Sequence, residues 1–443
     1  MMKFGGTSVA DAPSRLAAAM KIVSAKEQGF SPVVVVSAIG RKGSPYATDT
    51  LLDLLRQVDP NVEPDAREVD LMVGCGEIMA ASILAHTLKT MGHAALSFRG
   101  GQAGIRTDGV YGNARITRIH PVSIERAVSE GKIPVICGFQ GVWVPGDGGP
   151  GGELTTLGRG GSDTTASAIG AALNAAAVEI FTDVDGVKSA DPNFVEKPPT
   201  LRKVTYDEVA ELAHLGAKVV HPRAAEIAMN YKIPLWVKNT FSDDPGTEIV
   251  EREAYPGSRV TGVSHTGKLT HLAFDLGNCK DRDSTSIKLK LYDLLAQNGI
   301  NLYMVGLNPS GTGFAVAKDQ YALVEKLLDG LVLPVDGRFY LFQIGRLASH
   351  EVMTQQKLLA PVGNVETIVA ELTEGCTMVS VIGHDYMGQP GVFLKLLTAL
   401  SEEQIPVYQT SDSDFSISCL IPEAEMRRAL RKLHDVFGLS VTA

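Results

Sequence analysis

Two glycine-rich stretches, far apart in the chain, carry the residue types that phosphoryl chemistry needs. The first is Lys3-Phe4-Gly5-Gly6-Thr7-Ser8; the second is Gly158-Arg159-Gly160-Gly161-Ser162-Asp163-Thr164-Thr165. Glycines in such turns leave backbone N–H groups free to meet an anion. Each stretch adds a cation and hydroxyls. Brought together, the two would hold the phosphates of a nucleotide and a small acidic acceptor. Lys3 would then stand where charge develops on a transferring group, and the loop amides would approach phosphate. The planar fork of Arg159 suits a carboxylate. Neither stretch is a P-loop, because G-x-x-x-x-G-K-[ST] is absent.

Weaker signals surround these two. Thr182-Asp183-Val184-Asp185-Gly186-Val187 ends a strand and enters a turn. Acidic residues beyond a strand's carboxyl end hold metal or nucleotide hydroxyls, although a plain Asp-Gly turn reads the same way. Glu77, in Gly74-Cys75-Gly76-Glu77, falls at the start of an Ala-rich helix, where an acid stabilises the helix end whatever else it does. Thr48 and Asp49 lead into a helix over 50–57 and read as its cap, and Ser162 stands where another helix begins, with Asp163 in its first turn. Lys218 is a basic residue in an apolar setting, either snorkelling or touching phosphate. The ten histidines, His221 among them, show no metal-ligand spacing and read as structural or solvated. No Ser/His/Asp or Cys/His arrangement suggests a covalent nucleophile.

The elements that position these residues follow from composition and periodicity. The chain has 443 residues, which suggests two or three domains. Hydrophobic residues make up 44% and charged residues 21%, an ordinary globular composition. The net charge of −9 argues against a nucleic-acid surface. Five cysteines, an odd number without C-x-x-C spacing, read as buried reduced thiols of a cytoplasmic protein. No apolar run approaches ~18 residues, so no membrane span is expected.

Short β-branched runs at 33–37, 133–139 and 178–182 predict strands covered on both faces. Helices are predicted at 14–27, with Leu16, Met20 and Val23 at helical spacing, and at 77–91, 163–177, 207–217 and 222–231. The alternation implies a mostly parallel α/β sheet over residues 1–250, and residues 251–260 read as a linker. Beyond it a βαββα pattern occurs twice, over 270–317 and 377–421, each followed by a helix, at 319–329 and 423–436. We place the two α+β copies at 261–335 and 336–443, with nesting open, because 334–375 has no clean assignment.

Taken together, Lys3-Phe4-Gly5-Gly6-Thr7-Ser8-Val9, Gly158 to Asp163, and Thr182 to Val187 stand in the order and spacing of aspartate kinases. Gly74-x-Gly76-Glu77 and Gly216-Ala217-Lys218-Val219 fall where that family has its counterparts. The resemblance covers essentially the whole chain, and its tail resembles tandem ACT domains that sense amino acids. Within the family, Gly40 to Asp49 and Gln409 to Ser413 look most like the diaminopimelate-sensitive isozyme of Gram-positive bacteria. The resemblance implies an amino-acid-kinase fold followed by two ACT-like domains. It also implies ATP- and Mg²⁺-dependent phosphorylation of the L-aspartate side chain, a feedback effector (lysine, diaminopimelate or threonine) and a homodimer formed through the ACT domains. By the same resemblance Lys3 would stabilise the transferring phosphoryl and Asp163 would orient Lys3. Arg159, Glu77, Thr48 and Ser162 would hold aspartate. Phe4, Gly5, Gly6, Thr182, Asp183, Lys188 and Lys218 would contact the nucleotide. Three departures stand out: only Met1 and Met2 precede Lys3, Lys188 and Asn193 replace the usual aromatic and Arg, and the first ACT copy lacks the Pro390-Gly391 turn of the second.

Overall fold

The computed structural model describes residues 1–146, 152–216, 220–252, 260–277, 279, 281–384 and 391–440. Lys218 and Pro390 fall outside these residues, as does most of the 251–260 linker. The chain divides into two units. The first comprises Met1–Ser189 and Pro199–Ser258; the second comprises Ala190–Pro198 and Arg259–Val441.

The first unit is built on strands β1 (Met2–Phe4), β2 (Val34–Val36), β3 (Ala95–Phe98), β4 (Ile105–Thr107), β5 (Ile116–Ile119) and β6 (Ile133–Cys137). It continues with β7 (Gln140–Trp143), β8 (Glu153–Thr156), β9 (Val178–Thr182), β10 (Lys203–Thr205), β11 (Leu235–Asn239) and β12 (Thr247–Val250). The main sheet runs β10-β12-β11-β9-β1-β2-β6-β3, and a four-stranded sheet runs β5-β4-β7-β8. In the main sheet β11, β9, β1, β2, β6 and β3 are parallel, and β12 turns antiparallel to β11. The valine-rich strands are buried throughout, as a sheet covered on both faces requires. Short as it is, β1 lies at the centre: Lys3 pairs with Val35 on one side and Ile180 on the other. Strand order reverses here, with β2 and β6 on one side and β9 and β11 on the other. That is the topological switch point where α/β sheets bind ligands, beyond the strands' carboxyl ends.

The helices of this unit are α1 (Ala12–Glu27), α2 (Thr48–Arg56), α3 (Ala66–Thr90), α4 (Val122–Ser129), α5 (Gly161–Ala172), α6 (Tyr206–His214) and α7 (Pro222–Asn230). Asp11 caps α1 by accepting the Ser14 N–H at 2.8 Å. The buried face of α1 differs from expectation. Ala18, Ala19 and Ile22 are buried, whereas Leu16 and Met20 are exposed. Small alanines bring α1 close to the core, and that advantage outweighs burial of the larger side chains on the other face. Helix α3 begins eleven residues before the expected 77, so Glu77 lies inside it and not at its end. The cause is Asp65, which accepts the Arg67 N–H at 2.9 Å and starts the helix upstream. By length and composition α3 could cross a membrane, but half of its most apolar window is buried. Ala80, Ala81, Leu84, Ala85 and Leu88 pack with Val34, Val36 and Val135, which makes α3 a core helix.

The second unit contains β13 (Val260–Asp275), α8 (Asp281–Gln297), β14 (Leu302–Asn308), β15 (Gly311–Ala317), α9 (Lys318–Leu328), β16 (Val332–Val335) and β17 (Arg338–Ile344). It goes on through α10 (His350–Leu359), β18 (Val365–Gly383), α11 (Val392–Glu402), β19 (Gln409–Asp412), β20 (Ser416–Pro422) and α12 (Met426–Val436). Its sheet runs β14-β15-β13-β18-β17-β16, with β20 also on β18 and β19 on β20. Two cores share this sheet. One gathers Leu272, Phe274, Ile287, Phe314, Tyr340, Phe342 and Ile368; the other gathers Val260, Val263, Val379, Val381, Leu396, Ile417 and Leu433. The long strands β13 and β18 run through both. The first core therefore lies nested between the chain segments of the second, and Tyr340, Phe342 and Ile368 carry it past residue 335. The unassigned stretch 334–375 supplies the β16–β17 hairpin, α10 and the first half of β18.

Of the five cysteines, Cys137, Cys376 and Cys419 are buried, and burial pushes the Cys137 and Cys419 thiols up to about 12. Cys75 is exposed, contrary to the expectation of burial for all five, because it sits on the outward face of α3.

Candidate active site

The two glycine stretches converge. Lys3 Nζ lies 2.6 Å from Asp163 Oδ1, and both side chains are only 12% exposed. Lys3 is delivered by the central strand and Asp163 by the first turn of α5. Cations at that helix end are disfavoured by the dipole, so the carboxylate of Asp163 is what makes the ammonium tolerable there. The loops themselves are pinned by backbone. Gly5 N–H donates to Phe181 O at 3.2 Å, and Gly40 N–H donates to Gly6 O at 3.0 Å. A Cβ on Gly6 would meet Gly40 O at 2.4 Å and Ala38 O at 2.8 Å, so only glycine lets these two turns touch. Gly158 and Gly160 both have positive φ, 72° and 70°, and Gly160 serves as the left-handed cap of α5 in place of Ser162. Ser162 follows inside the helix, buried against Gly138 at the end of β6. Arg159, between the two turns, is exposed.

Glu77 makes the second half of the site. It is 2% exposed; Oε1 accepts the Ala38 N–H at 3.0 Å, and Oε2 is buried without a partner. Desolvation pushes its carboxyl up to about 8, partly offset by backbone hydrogen bonds from Glu77 itself and then from Ala38. A buried oxygen of this kind calls for a cationic donor from outside the chain. Gly76 allows the approach, since a Cβ there would lie 2.7 Å from Ala38 Cβ and 3.1 Å from Tyr46 O. The Tyr46 carbonyl and Leu51 face the same glycine, which sets Thr48, the first residue of α2, on this side of α3. Thr48 is not a cap: the cap position is Ala47, which offers no side-chain bond.

The end of β9 forms the third wall. Thr182 Oγ1 donates to Asp183 Oδ1 at 3.2 Å, and Thr240 N–H donates to Thr182 O at 2.9 Å. Thr240 Oγ1 is 2.7 Å from Ser8 Oγ, tying this wall to the first glycine loop. Asp185 accepts from Asn239 (2.8 Å) and Ser242 (2.9 Å), and these bonds, in that order, hold its carboxyl below the usual range. Lys188 donates to Thr200 Oγ1 at 2.6 Å and stands 3.9 Å from Asp185. Phe4 lies at the stem of the first glycine loop. Its side chain is fully buried and stacked on Phe181 at 4.8 Å, and its carbonyl accepts the Ser37 N–H, so it stiffens the stem of the loop.

Several supporting residues escaped the sequence reading. His221 donates its backbone N–H to Asp163 Oδ2 at 3.3 Å and lies under Gly160, where burial lowers its ring's basicity. Arg223, next on α7, donates to Leu157 O (3.2 Å) and Asn113 Oδ1 (3.0 Å), clamping the strand end that enters the second loop. Fully buried Asp70 accepts two N–H groups and the Thr156 hydroxyl, locking α3 to β8. The Pro222-Arg223 pair beginning a helix was the one visible hint. A cavity of about 1060 Å³ exists elsewhere, between α1 and the loop after β11, but Lys3, Glu77, Arg159 and Asp163 are not among its lining residues. The convergence of cations and buried carboxylates marks the site better than that volume does.

Among the described residues no group of three His, Cys, Asp or Glu could hold a metal ion by itself. The site joins glycine turns with Lys3, Arg159 and the buried Glu77 carboxyl, one oxygen of which has no partner, and among the described residues it holds no base–nucleophile pair. It can bind an anionic chain at one end and a cation-bearing acid at the other.

The sequence profile of the amino acid kinase family matches residues 1–239, and that of an ACT domain matches residues 371–435. Aspartokinase 1 of Bacillus subtilis strain 168 is 36% identical over 446 residues, which cover 99% of each chain. Aspartokinase III of E. coli, solved with aspartate and ADP, superposes with a TM-score of 0.71 at 22% identity over 98% of each chain. The same enzyme solved with lysine and aspartate gives 0.68 at 21% identity over 99% of each.

Proposed function

The chain belongs to the amino acid kinase family as an aspartokinase, catalysing phosphorylation of the L-aspartate side-chain carboxylate by ATP, and from that premise we propose how its residues divide the work. The product is 4-phospho-L-aspartate, the first step towards lysine, threonine and methionine, and the ACT region makes the enzyme allosteric. The observation that carries the division of labour is the Lys3–Asp163 pair at the switch point, with the buried Glu77 oxygen beyond it.

A carboxylate is already ionised near neutral pH and needs no general base. What it needs is relief from repulsion by the nucleotide and correct alignment. Lys3, oriented by Asp163, neutralises charge on the group in flight. The Gly5-Gly6 turn, bare of side chains, lets backbone approach and cradle phosphate. Arg159 forks onto the α-carboxylate of aspartate, Glu77 takes its α-ammonium, and Thr48 and Ser162 flank it. Thr182 and Asp183 meet the nucleotide, Lys188 stands 3.9 Å from Asp185 near them, and the resemblance assigns Lys218 to the same ligand. The absence of a protein-only metal cage among the described residues suits Mg²⁺ carried in on phosphates, since that ion keeps several waters and takes one or two carboxylates. Asp183 at the rim of the nucleotide wall is the residue to meet it. Bound there, Mg²⁺ would neutralise phosphate charge.

Aspartokinase III of E. coli, solved with lysine, supports an amino-acid effector for this chain too. Strands β14 and β16 end the second unit's sheet with a strand neighbour on one side only, and a homodimer through the ACT region is our reading of the assembly. A coupled assay of ADP release tests the substrate assignment. Turnover is expected with L-aspartate and Mg·ATP, and absence of turnover with aspartate alongside turnover with L-glutamate would reject it. Lys3→Ala should lose about a hundredfold or more in kcat, the scale of a preorganised charge donor.

A further inference from the structure

The loop after β2 carries a cation that the division of labour above leaves unused. Arg41 NH2 lies 2.8 Å from Asp183 Oδ2, and its side chain is 71% exposed against 35% for Asp183. The loop is not free-standing. Gly40 N–H donates to Gly6 O at 3.0 Å, and Arg41 N–H donates to Ser44 Oγ at 3.3 Å. Gly40 and Gly43 hold φ of 83° and 93°, which turn the chain so that Arg41 spans from the end of β2 to the end of β9. It thus crosses over the Gly5-Gly6 turn, which sits on the strand between them.

Charge balance says what this arginine is for. Among the described residues, Lys3 is matched by Asp163 and Lys188 by Asp185 with Thr200. Arg159 is the residue assigned above to the α-carboxylate of aspartate. A nucleotide polyphosphate bringing several negative charges needs a further cation, and its source must be able to move. An exposed ion pair is worth little in water, so exchanging Asp183 for phosphate costs little. The guanidinium fork matches phosphate oxygens two at a time.

We propose that Arg41 is a phosphate-binding residue of the nucleotide site, held at the mouth of that site by its exposed pair with Asp183 and able to pass from that carboxylate to the polyphosphate when nucleotide binds. The proposal rests on the nucleotide reading of the Asp183 wall. Release of Asp183 in the same movement frees its carboxylate as the nucleotide arrives.

The test is equilibrium binding of ADP and of adenosine to the full chain, with steady-state kinetics on the same variants. Arg41→Ala should weaken ADP binding and raise the KM for ATP about ten- to a hundredfold, the worth of a charge-assisted hydrogen bond or two. Adenosine binding and the KM for L-aspartate should stay within about twofold of the parent, and Arg41→Lys should recover part of the ADP affinity. Lys42→Ala, the exposed neighbour, serves as control and should leave ADP binding unchanged. Equal losses for ADP and adenosine, or a parallel rise in both KM values with a lowered melting temperature, would show that Arg41 only braces the loop and would overturn the proposal. Should the parent chain bind ADP yet phosphorylate no aspartate, the substrate assignment fails while the ADP–adenosine contrast still decides the role of Arg41.

Discussion

At the scale of single residues, Glu77 is the most exposed to test. Its folded carboxyl lies at about 8, far above an unfolded glutamate, because burial outweighs the backbone hydrogen bonds from Glu77 itself and from Ala38. A raised acid holds its proton in the folded state where the unfolded chain has lost it, so its contribution to stability falls as pH climbs from the ordinary glutamate range toward 8. Substrate binding runs the other way. An α-ammonium is received by the ionised form, so the KM for aspartate should fall as pH rises toward 8, by as much as about tenfold per unit, and level off above it. Glu77→Gln should raise that KM and flatten its pH profile; a profile that keeps its slope in the variant would assign the titration to another group. Much of this was legible in the sequence as residue identity but not as state. Gly76-Glu77 could be picked out by pattern, yet the helix in which it is buried begins upstream at Asp65, a cap hidden in a polar stretch. Phe4 is similar: its motif marks it, but the stacking of its ring on Phe181 in the core carries no local pattern.

At the scale of elements, the start of α5 shows how glycine placement controls chemistry from a distance. A Cβ on Gly160 would lie 2.0 Å from His221 Cγ, at a φ of 70° that side chains rarely adopt. His221 is the residue whose N–H holds Asp163, and Asp163 holds Lys3. Gly160→Ala therefore strains the turn and pushes the His221 ring, and both errors reach the ammonium of Lys3. We expect kcat to fall by about a hundredfold or more, since small misplacements of an aligned group cost that much. Gly92→Ala is the contrast: φ is 86°, nothing lies within 4 Å of the added atom, and roughly 1 kcal/mol of stability should be the whole effect. Equal loss of activity in both would mean that left-handed strain, and not the His221 relay, governs the outcome. The sequence showed three glycines and a charge pair in one run, which was enough to mark the loop. It did not show the partner at His221, because that contact joins positions far apart in the chain and carries no local pattern. The alternation of strands and helices was legible for the opposite reason: parallel strands covered on both faces write themselves as short apolar runs.

At the scale of the whole molecule, the division into units does not follow the linear order of the chain. Punctuation near residue 245 suggests one boundary, and the amino acid kinase profile runs unbroken to 239. Yet Ala190–Pro198, well inside that span, counts with the second unit. Phe194 meets His265 edge-on at 4.7 Å, Arg427 lies 5.4 Å over its ring, and Arg431 Nε donates to its carbonyl at 3.0 Å. Ala190 and Val195 are buried in the same core. The stem of this excursion is zipped in the first unit, where Ser189 N–H donates to Pro199 O at 3.1 Å and Leu201 N–H to Val187 O at 2.8 Å. No composition shift marks such a detour, because its mix of apolar (Ala190, Phe194, Val195) and polar (Asp191, Asn193, Glu196, Lys197) residues matches an ordinary surface loop. Truncating the ring in Phe194→Ala removes a partly buried aromatic and should cost roughly 2 kcal/mol, below the range for a fully buried one. In a chain whose units melt separately, that cost belongs to one transition, lowering it by about 5 °C at this domain size while the other stays in place. Scanning calorimetry with and without ADP identifies which is which, since ligand raises only the transition of the unit that binds it. The expected result is a shift confined to the transition that ADP does not raise. A shift confined to the ADP-responsive transition would return Ala190–Pro198 to the kinase unit and restore the linear boundary.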